Sequence, residues 1–205
     1  FITHLLTRMI TINTQYAFSV EDILFTFALA DEAAAIFTPY SPLICGIGKV
    51  AATYNLMKAI QTKKPKLIAN LGSAGSSQYS RGEIVCCTKF IQRDMDVRGL
   101  GFAQYETPLS GLPIVLEYGL PMEGLPTAIC GTGDNFEMAH TTSLYNVVDM
   151  EAYALAAVAM QENIPFLSLK YISDGADNQA AEDWHIQVHH AATAFGKLLK
   201  IPILV

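Results

Sequence analysis

The chain has 205 residues, of which 51% are hydrophobic and 16% charged, with a net charge of −6. That length fits one domain able to bury about 70% of its unfolded surface, and the composition excludes a disordered chain. An acidic balance with no basic cluster excludes a nucleic-acid partner; no apolar run approaches the roughly 20 residues needed to span a bilayer, so no membrane partner is expected.

In chain order, residues 1–9 lack the sustained apolar stretch of a secretion signal. Met9 reads as a natural initiator, which makes residues 1–8 an upstream remnant in front of a single domain spanning the chain. Residues 22–29 (DILFTFAL) form a continuous apolar run rich in aromatic and branched side chains, the pattern of a buried parallel strand. Residues 42–45 lead into Gly46-Ile47-Gly48-Lys49, and residues 50–60 carry helical periodicity. Further strands are expected over 67–71 (LIANL), stopped by Gly72-Ser73-Ala74-Gly75, over 83–88 (EIVCCT) and over 127–130. A helix follows over 149–162, a last central strand over 166–172 and a terminal helix over 180–199. Alternating strands and helices, with small residues where strands end, predict a three-layer α/β/α sandwich around a mixed, largely parallel sheet. Residues 107–126 exceed an ordinary loop and predict a binding or subunit-contact excursion.

The glycine-rich and acidic clusters carry the candidate chemistry. Gly46-Ile47-Gly48-Lys49 is not a phosphate loop, because Val50 stands where Ser or Thr would hold magnesium and Leu43 where the first glycine belongs. It reads as a strand-to-helix turn that needs backbone freedom. Gly72-Ser73-Ala74-Gly75 lets a ligand approach the backbone, with Ser73 able to donate or accept a hydrogen bond, and it lacks the G-x-S-x-G pattern of a nucleophile elbow. His185, His189 and His190 contain an i, i+4 pair, but Ile186 stands where a metalloprotease glutamate would be, so an exposed helix face is expected and no metal site. The four cysteines, Cys45, Cys86, Cys87 and Cys130, follow no metal spacing and read as reduced core residues of a cytoplasmic protein. Glu32, Asp149 and Glu151 each fit two readings: a helix N-terminal acid complementing the macrodipole, or a ligand-facing carboxylate at the carboxyl edge of an α/β sheet. Asp174, between Ser173 and Gly175, fits either a turn residue or the same ligand-facing edge.

The ordered blocks GIGKVAA, NLGSAG, RDMDV, GTGDNF, VDMEA and KYISDGAD resemble the 5'-methylthioadenosine/S-adenosylhomocysteine nucleosidases of the purine nucleoside phosphorylase superfamily, in register from about residue 28 to residue 184. The Asp-Met-Glu and Lys variants are closer to the plant-type members. The resemblance implies a nucleoside phosphorylase-like fold, hydrolysis of an N-ribosidic bond to release adenine, no metal or organic cofactor, a small nucleoside as substrate, and a homodimer in which residues 97–108 reach a neighbour's site. By position, Asp174 resembles the acid acting at adenine N7, Ser173 its orienter, and Glu32 the residue that activates water. The resemblance further implies that Glu151 binds the ribose hydroxyls, Met150 packs under the sugar, and Ile47, Val97 and Leu100 meet the 5'-substituent and base. Phe136 would stack on adenine and Trp184 would close over the ligand, with Ser73 and Lys170 also in the substrate-binding set.

Three departures stand out. The interval from Glu32 to Gly46 is shorter than the family's, residues 107–126 lack most of a helix, and Lys170 and Asp149 replace arginine and glutamate. Lys keeps the charge of Arg but loses its bidentate fork. They bear on substrate breadth more than on reaction type. Two other functions stay open: a phosphorylase, disfavoured because the four arginines (Arg8, Arg81, Arg93, Arg98) do not fall near Gly46 or Gly72, and a non-catalytic nucleoside-binding relative.

Overall fold

The computed structural model describes residues 8–140, 142–177 and 179–201; residues 1–7 of the expected remnant lie outside them. An antiparallel ribbon of β1 (Met9–Thr11) and β2 (Ala17–Ser19) precedes an eight-stranded sheet. The remaining elements follow in order as β3 (Ile23–Phe27), α1 (Ala30–Phe37), β4 (Leu43–Ile44), α2 (Lys49–Thr62), β5 (Leu67–Gly75), β6 (Ile84–Gln92), β7 (Leu116–Glu117), β8 (Thr127–Thr132), β9 (Val147–Asp149), α3 (Ala152–Gln161), β10 (Phe166–Asp174) and α4 (Ala180–Leu198).

Five of the eight strand pairings in the large sheet are parallel and three antiparallel, so the sheet is mixed and largely parallel as the sequence predicts. Pairing of β10 with both β5 and β6 closes β5, β10, β6, β8 and β9 into a ring, a curvature that no single strand sequence announces. Side chains alternate between two cores. Ile68 of β5 and Phe166 and Ile172 of β10 face the layer containing α2 and α3. Leu67, Ala69 and Leu71 of β5, with Leu167 and Leu169 of β10, face α1 and α4. Helices cover both faces, which is why these strands read as continuous apolar runs rather than as alternating ones.

Several boundaries differ from those read in the sequence. β5 runs through Gly72-Ser73-Ala74-Gly75 instead of stopping there, because β10 pairs with it residue by residue from Ile68 to Gly75. The expected helix over 149–162 begins later: Val147–Asp149 is a strand, Glu151 is the N-cap, and α3 starts at Ala152. Gly46 and Gly48 both have positive φ, +84° and +85°, so the turn reading of that block holds. Residues 107–126 are mostly irregular and contribute only β7. All four cysteines are free and buried, and burial pushes the Cys45 and Cys86 thiols up to about 12. His185, His189 and His190 are exposed on α4. Among the described residues no helix is long and apolar enough to cross a membrane.

The aromatic centre of the second core is Phe37 at the end of α1, fully buried with its ring edge-on to Phe25 and Phe27. Phe37→Ala should cost about 3–5 kcal/mol of unfolding free energy, measured by urea denaturation. A loss under about 1 kcal/mol would mean that α1 does not anchor this core.

Candidate active site

The carboxyl ends of the strands converge on one cavity. β3 ends at Phe27, β5 at Gly75 and β10 at Asp174, running in one direction, and the antiparallel Gly75–Val148 pairing brings the end of β9 to the same place. Gly75 permits this convergence: a Cβ there would lie 2.5 Å from Asp174 Oδ1 and 3.1 Å from Val148 Cγ2. The cavity measures about 210 Å³ and is lined by Glu32, Ile47, Ser73, Phe136, Met150, Glu151, Ser173, Asp174 and Trp184 among others. Nine of the twelve residues named from the sequence therefore meet in one place. Three do not border it. Lys170 lies 1% exposed beneath the floor, Leu100 is 76% exposed on a short 3-10 turn, and Val97 precedes that turn half-buried.

Glu32, 3% exposed, is held by four donors. Its Oε1 accepts from the Ser73 amide at 2.9 Å and the Ser73 hydroxyl at 2.7 Å, and its Oε2 from the amides of Ala28 and Leu29 at 3.1 Å. Trp184 Nε1 donates to the same Ser73 oxygen at 2.9 Å, tying α4 to β5 across the cavity wall. Ser73 therefore orients both a carboxylate and an indole.

On the far side, Asp149 and Lys170 form a buried ion pair at 2.8 Å. Burial alone would raise the Asp149 pKa, but the ammonium charge of Lys170, with hydrogen bonds from Thr132 Oγ1 at 2.6 Å and the Ala152 amide at 2.8 Å, holds its carboxyl below the usual range. The Ala152 bond makes Asp149 a cap for α3, its helix-start reading, and the residue also borders the cavity. Burial works against the charge on Lys170 as well, yet Asp149 and its acidic surroundings raise its pKa. Glu151 fares differently. Burial first and the Asp149 charge second push it to about 8, against the opposing pull of Lys170 and of the Gly48 amide, which donates to Oε1 at 2.9 Å. The glycine turn ahead of α2 thus presents a backbone N–H to a side-chain carboxyl.

Asp174 closes the set at 3% exposure. Burial raises its pKa, opposed by the Ala176 amide on Oδ1 at 2.9 Å and the Ser173 hydroxyl on Oδ2 at 2.8 Å. Ser173 Oγ also lies 3.3 Å from the Ala74 carbonyl. Its single proton can go to that carbonyl, leaving an oxygen lone pair for a proton carried by Asp174.

The sequence reading did not single out Arg93, Asn135 and Glu137, which also border the cavity. Their only signal was membership of the RDMDV and GTGDNF blocks or adjacency to them. Lys49 pairs with Asp94 at 2.5 Å and stands 3.7 Å from Asp134. It ties α2 to the loops after β6 and β8. Among the described residues no group of three or more His, Cys, Asp or Glu is arranged to hold a metal ion.

A family model described as the phosphorylase superfamily matches residues 36–203. A 5'-methylthioadenosine/S-adenosylhomocysteine nucleosidase of Listeria monocytogenes serotype 4b is 31% identical over 185 residues, which cover 76% of this chain and 78% of that one. The chain belongs to this nucleosidase family of the phosphorylase superfamily. A nucleosidase of the same name from Buchnera aphidicola of Schizaphis graminum is 28% identical, covering 78% of this chain and 76% of its own. In fold, the family member of Helicobacter pylori superposes with a TM-score of 0.77 at 20% identity, covering 87% of this chain and 95% of that one. The futalosine hydrolase of the same organism gives 0.77 at 19% identity over 87% of this chain and 95% of its own. The family match stops short of Glu32, so the first carboxylate of the site joins it through the fold of β3 and α1.

The raised Glu151 pKa sets a sign for stability. Below about pH 4.5 both states hold the Glu151 proton; between there and about pH 8 only the folded state does, so its contribution to stability falls as pH rises. Glu151→Gln should therefore gain on the wild type across that window, by at most about 1.4 kcal/mol per pH unit. Denaturant unfolding of both proteins from pH 4 to 9 checks it, and a pH-independent difference would refute it.

Proposed function

We propose that this chain hydrolyses the N-ribosidic bond of 5'-methylthioadenosine, and of S-adenosylhomocysteine if the cavity admits the longer 5'-substituent, releasing adenine. The observation that carries the reading is the separation of three buried carboxyls around one cavity, each with a different set of partners: Glu32 among four donors, Glu151 beside a backbone amide, and Asp174 beside Ser173. The names of the curated relatives, and a Neisseria meningitidis member solved with methylthio-immucillin-A, support the substrate class.

The roles follow from chemistry. As the C1'–N9 bond breaks, its electron pair moves onto the purine, and Asp174 gives a proton to N7. Burial favours the protonated form of Asp174, and Ser173 can accept from that proton. General acid help of this kind contributes about 10²–10⁴-fold. Charge grows on C1' and the ring oxygen, as in other glycosidic cleavages. Water adds to C1' and loses its proton to Glu32, whose two oxygens are fixed by Ser73, Ala28 and Leu29. Glu151 takes the ribose hydroxyls, Met150 lies under the sugar, Phe136 stacks on the base and Trp184 closes over it. Lys170 acts from below: by neutralising Asp149 it leaves Glu151 as the carboxyl that faces the sugar.

Phosphorolysis would need an arginine fork free for the anion. Arg93 borders the cavity, but its guanidinium donates to the Gly131 and Asn135 carbonyls and to the Asn135 side chain. A homodimer is part of the same reading, supported by the exposed apolar side chains of Val50, Tyr54 and Leu100, 80%, 61% and 76% exposed. Val97 and Leu100 would then serve a neighbour's site. A cytoplasmic location is supported by four buried free thiols, the state favoured in a reducing compartment.

Asp174→Asn should lower adenine release from 5'-methylthioadenosine by at least about 10²-fold while calorimetry shows nucleoside binding retained. Normal turnover in that variant would overturn the mechanism. Wild-type release should be equal with and without phosphate; strict phosphate dependence would make the enzyme a phosphorylase.

A further inference from the structure

The loop after β8 carries Phe136, the ring expected to stack on the base, and that ring is 45% exposed with no aromatic partner among the described residues. Its direction is therefore set by the backbone on either side of it. Both neighbours are held by one side chain. Arg93, at the end of β6, has a guanidinium that is only 5% exposed. Its Nε donates to the Gly131 carbonyl at 3.2 Å, its Nη1 to Asn135 Oδ1 at 2.9 Å, and its Nη2 to the Asn135 carbonyl. The same group pairs with Glu137 Oε2 at 3.2 Å. Glu137 is braced in turn by His140 Nδ1 at 2.9 Å and by the Tyr145 hydroxyl at 3.2 Å.

The loop is shaped to admit the guanidinium. A Cβ at Gly133 would lie 2.9 Å from Arg93 Cζ and 3.0 Å from its Nη1, so glycine leaves the space that the arginine fills. A planar fork with five donors can meet acceptors on residues 131, 135 and 137 together, whereas a lysine ammonium cannot.

We infer that Arg93 is a positioning residue for base recognition: it clamps both flanks of Phe136 and so fixes the ring that stacks on the purine. This rests on the nucleosidase reading above. Stacking acts on substrate and transition state alike, so its loss appears in KM rather than in kcat.

The test is steady-state adenine release by the wild type, Arg93→Lys, Phe136→Ala and the double variant, with Tm measured for each. Arg93→Lys should raise KM about three- to tenfold, the worth of an aromatic contact, and leave kcat within about twofold. The double variant should be no worse than Phe136→Ala alone, because the clamp has no ring left to place. Gly133→Ala, which displaces the guanidinium without removing it, should reproduce the KM effect and serves if Arg93→Lys does not fold. Penalties that multiply in the double variant would mean that Arg93 meets the substrate directly, and would overturn the inference. So would a fall in kcat with KM unchanged. A wild-type protein that releases no adenine from any 5'-thioadenosine would instead defeat the nucleosidase reading itself.

Discussion

One buried ammonium governs the electrostatics of this site. Lys170 is 1% exposed and sits among acids, with Asp149 at 2.8 Å and Glu151 close enough to feel its charge. Desolvating a lysine is costly unless an opposite charge meets it. Asp149 meets it at hydrogen-bond distance, with Thr132 and the α3 amide completing the carboxylate's partners. A single positive charge cannot neutralise two carboxyls fully. Asp149 is pulled down, and Glu151, facing the cavity, is pushed up to about 8. The order in which these groups ionise, and thus which one faces the cavity as a donor or as an acceptor, depends on where that ammonium is fixed.

The fold fixes it through β10. Lys170 and Asp174 lie four residues apart on that strand, and its ladder with β5 slips by one residue between Ile172 and Asp174. β10 is hydrogen-bonded on both edges, to β5 and to β6, and is buried along its whole length. The buried ammonium and the Asp174 carboxyl are thus carried by a strand that is paired on both edges. Glu32 is set from a different direction, by the first turn after β3 and by Ser73 of β5.

Much of this was legible in the residues, for identifiable reasons. The strands over 67–71 and 166–172 announce themselves because helices cover both faces and favour apolar side chains at most positions. Asp174 and Glu32 are legible as carboxylates following such runs. β9 was hidden because two valines before an aspartate look like the start of the helix that follows. The ends of β5 and β10 were read short because Gly72, Ser73 and Asp174 are poor strand formers, retained in the ladder only by a partner distant in sequence. Lys170 was legible as a charge but not as a subfloor cation, since sequence gives its neighbours along the strand and not across the sheet. Arg93 and Glu137 were least accessible. Their importance arises when the end of β6 and a loop more than 40 residues later come together around Gly133, a contact with no local pattern.

The ring closure of the sheet separates two kinds of change the protein can undergo. Asp174 and Lys170 lie on a strand whose two edges are satisfied, and Glu151 caps the helix that follows β9, so a shift in one strand propagates around the ring. The loop after β8 and the first turns of α4, which carry Phe136 and Trp184, lie outside that ring and are joined to it by side chains, through Arg93 after β6 and Ser73 of β5. Substitutions there can alter the cavity wall while the strand-borne carboxyl and ammonium keep their spacing. The cavity wall and the strand-borne charges beneath it can therefore change at different rates in one small domain.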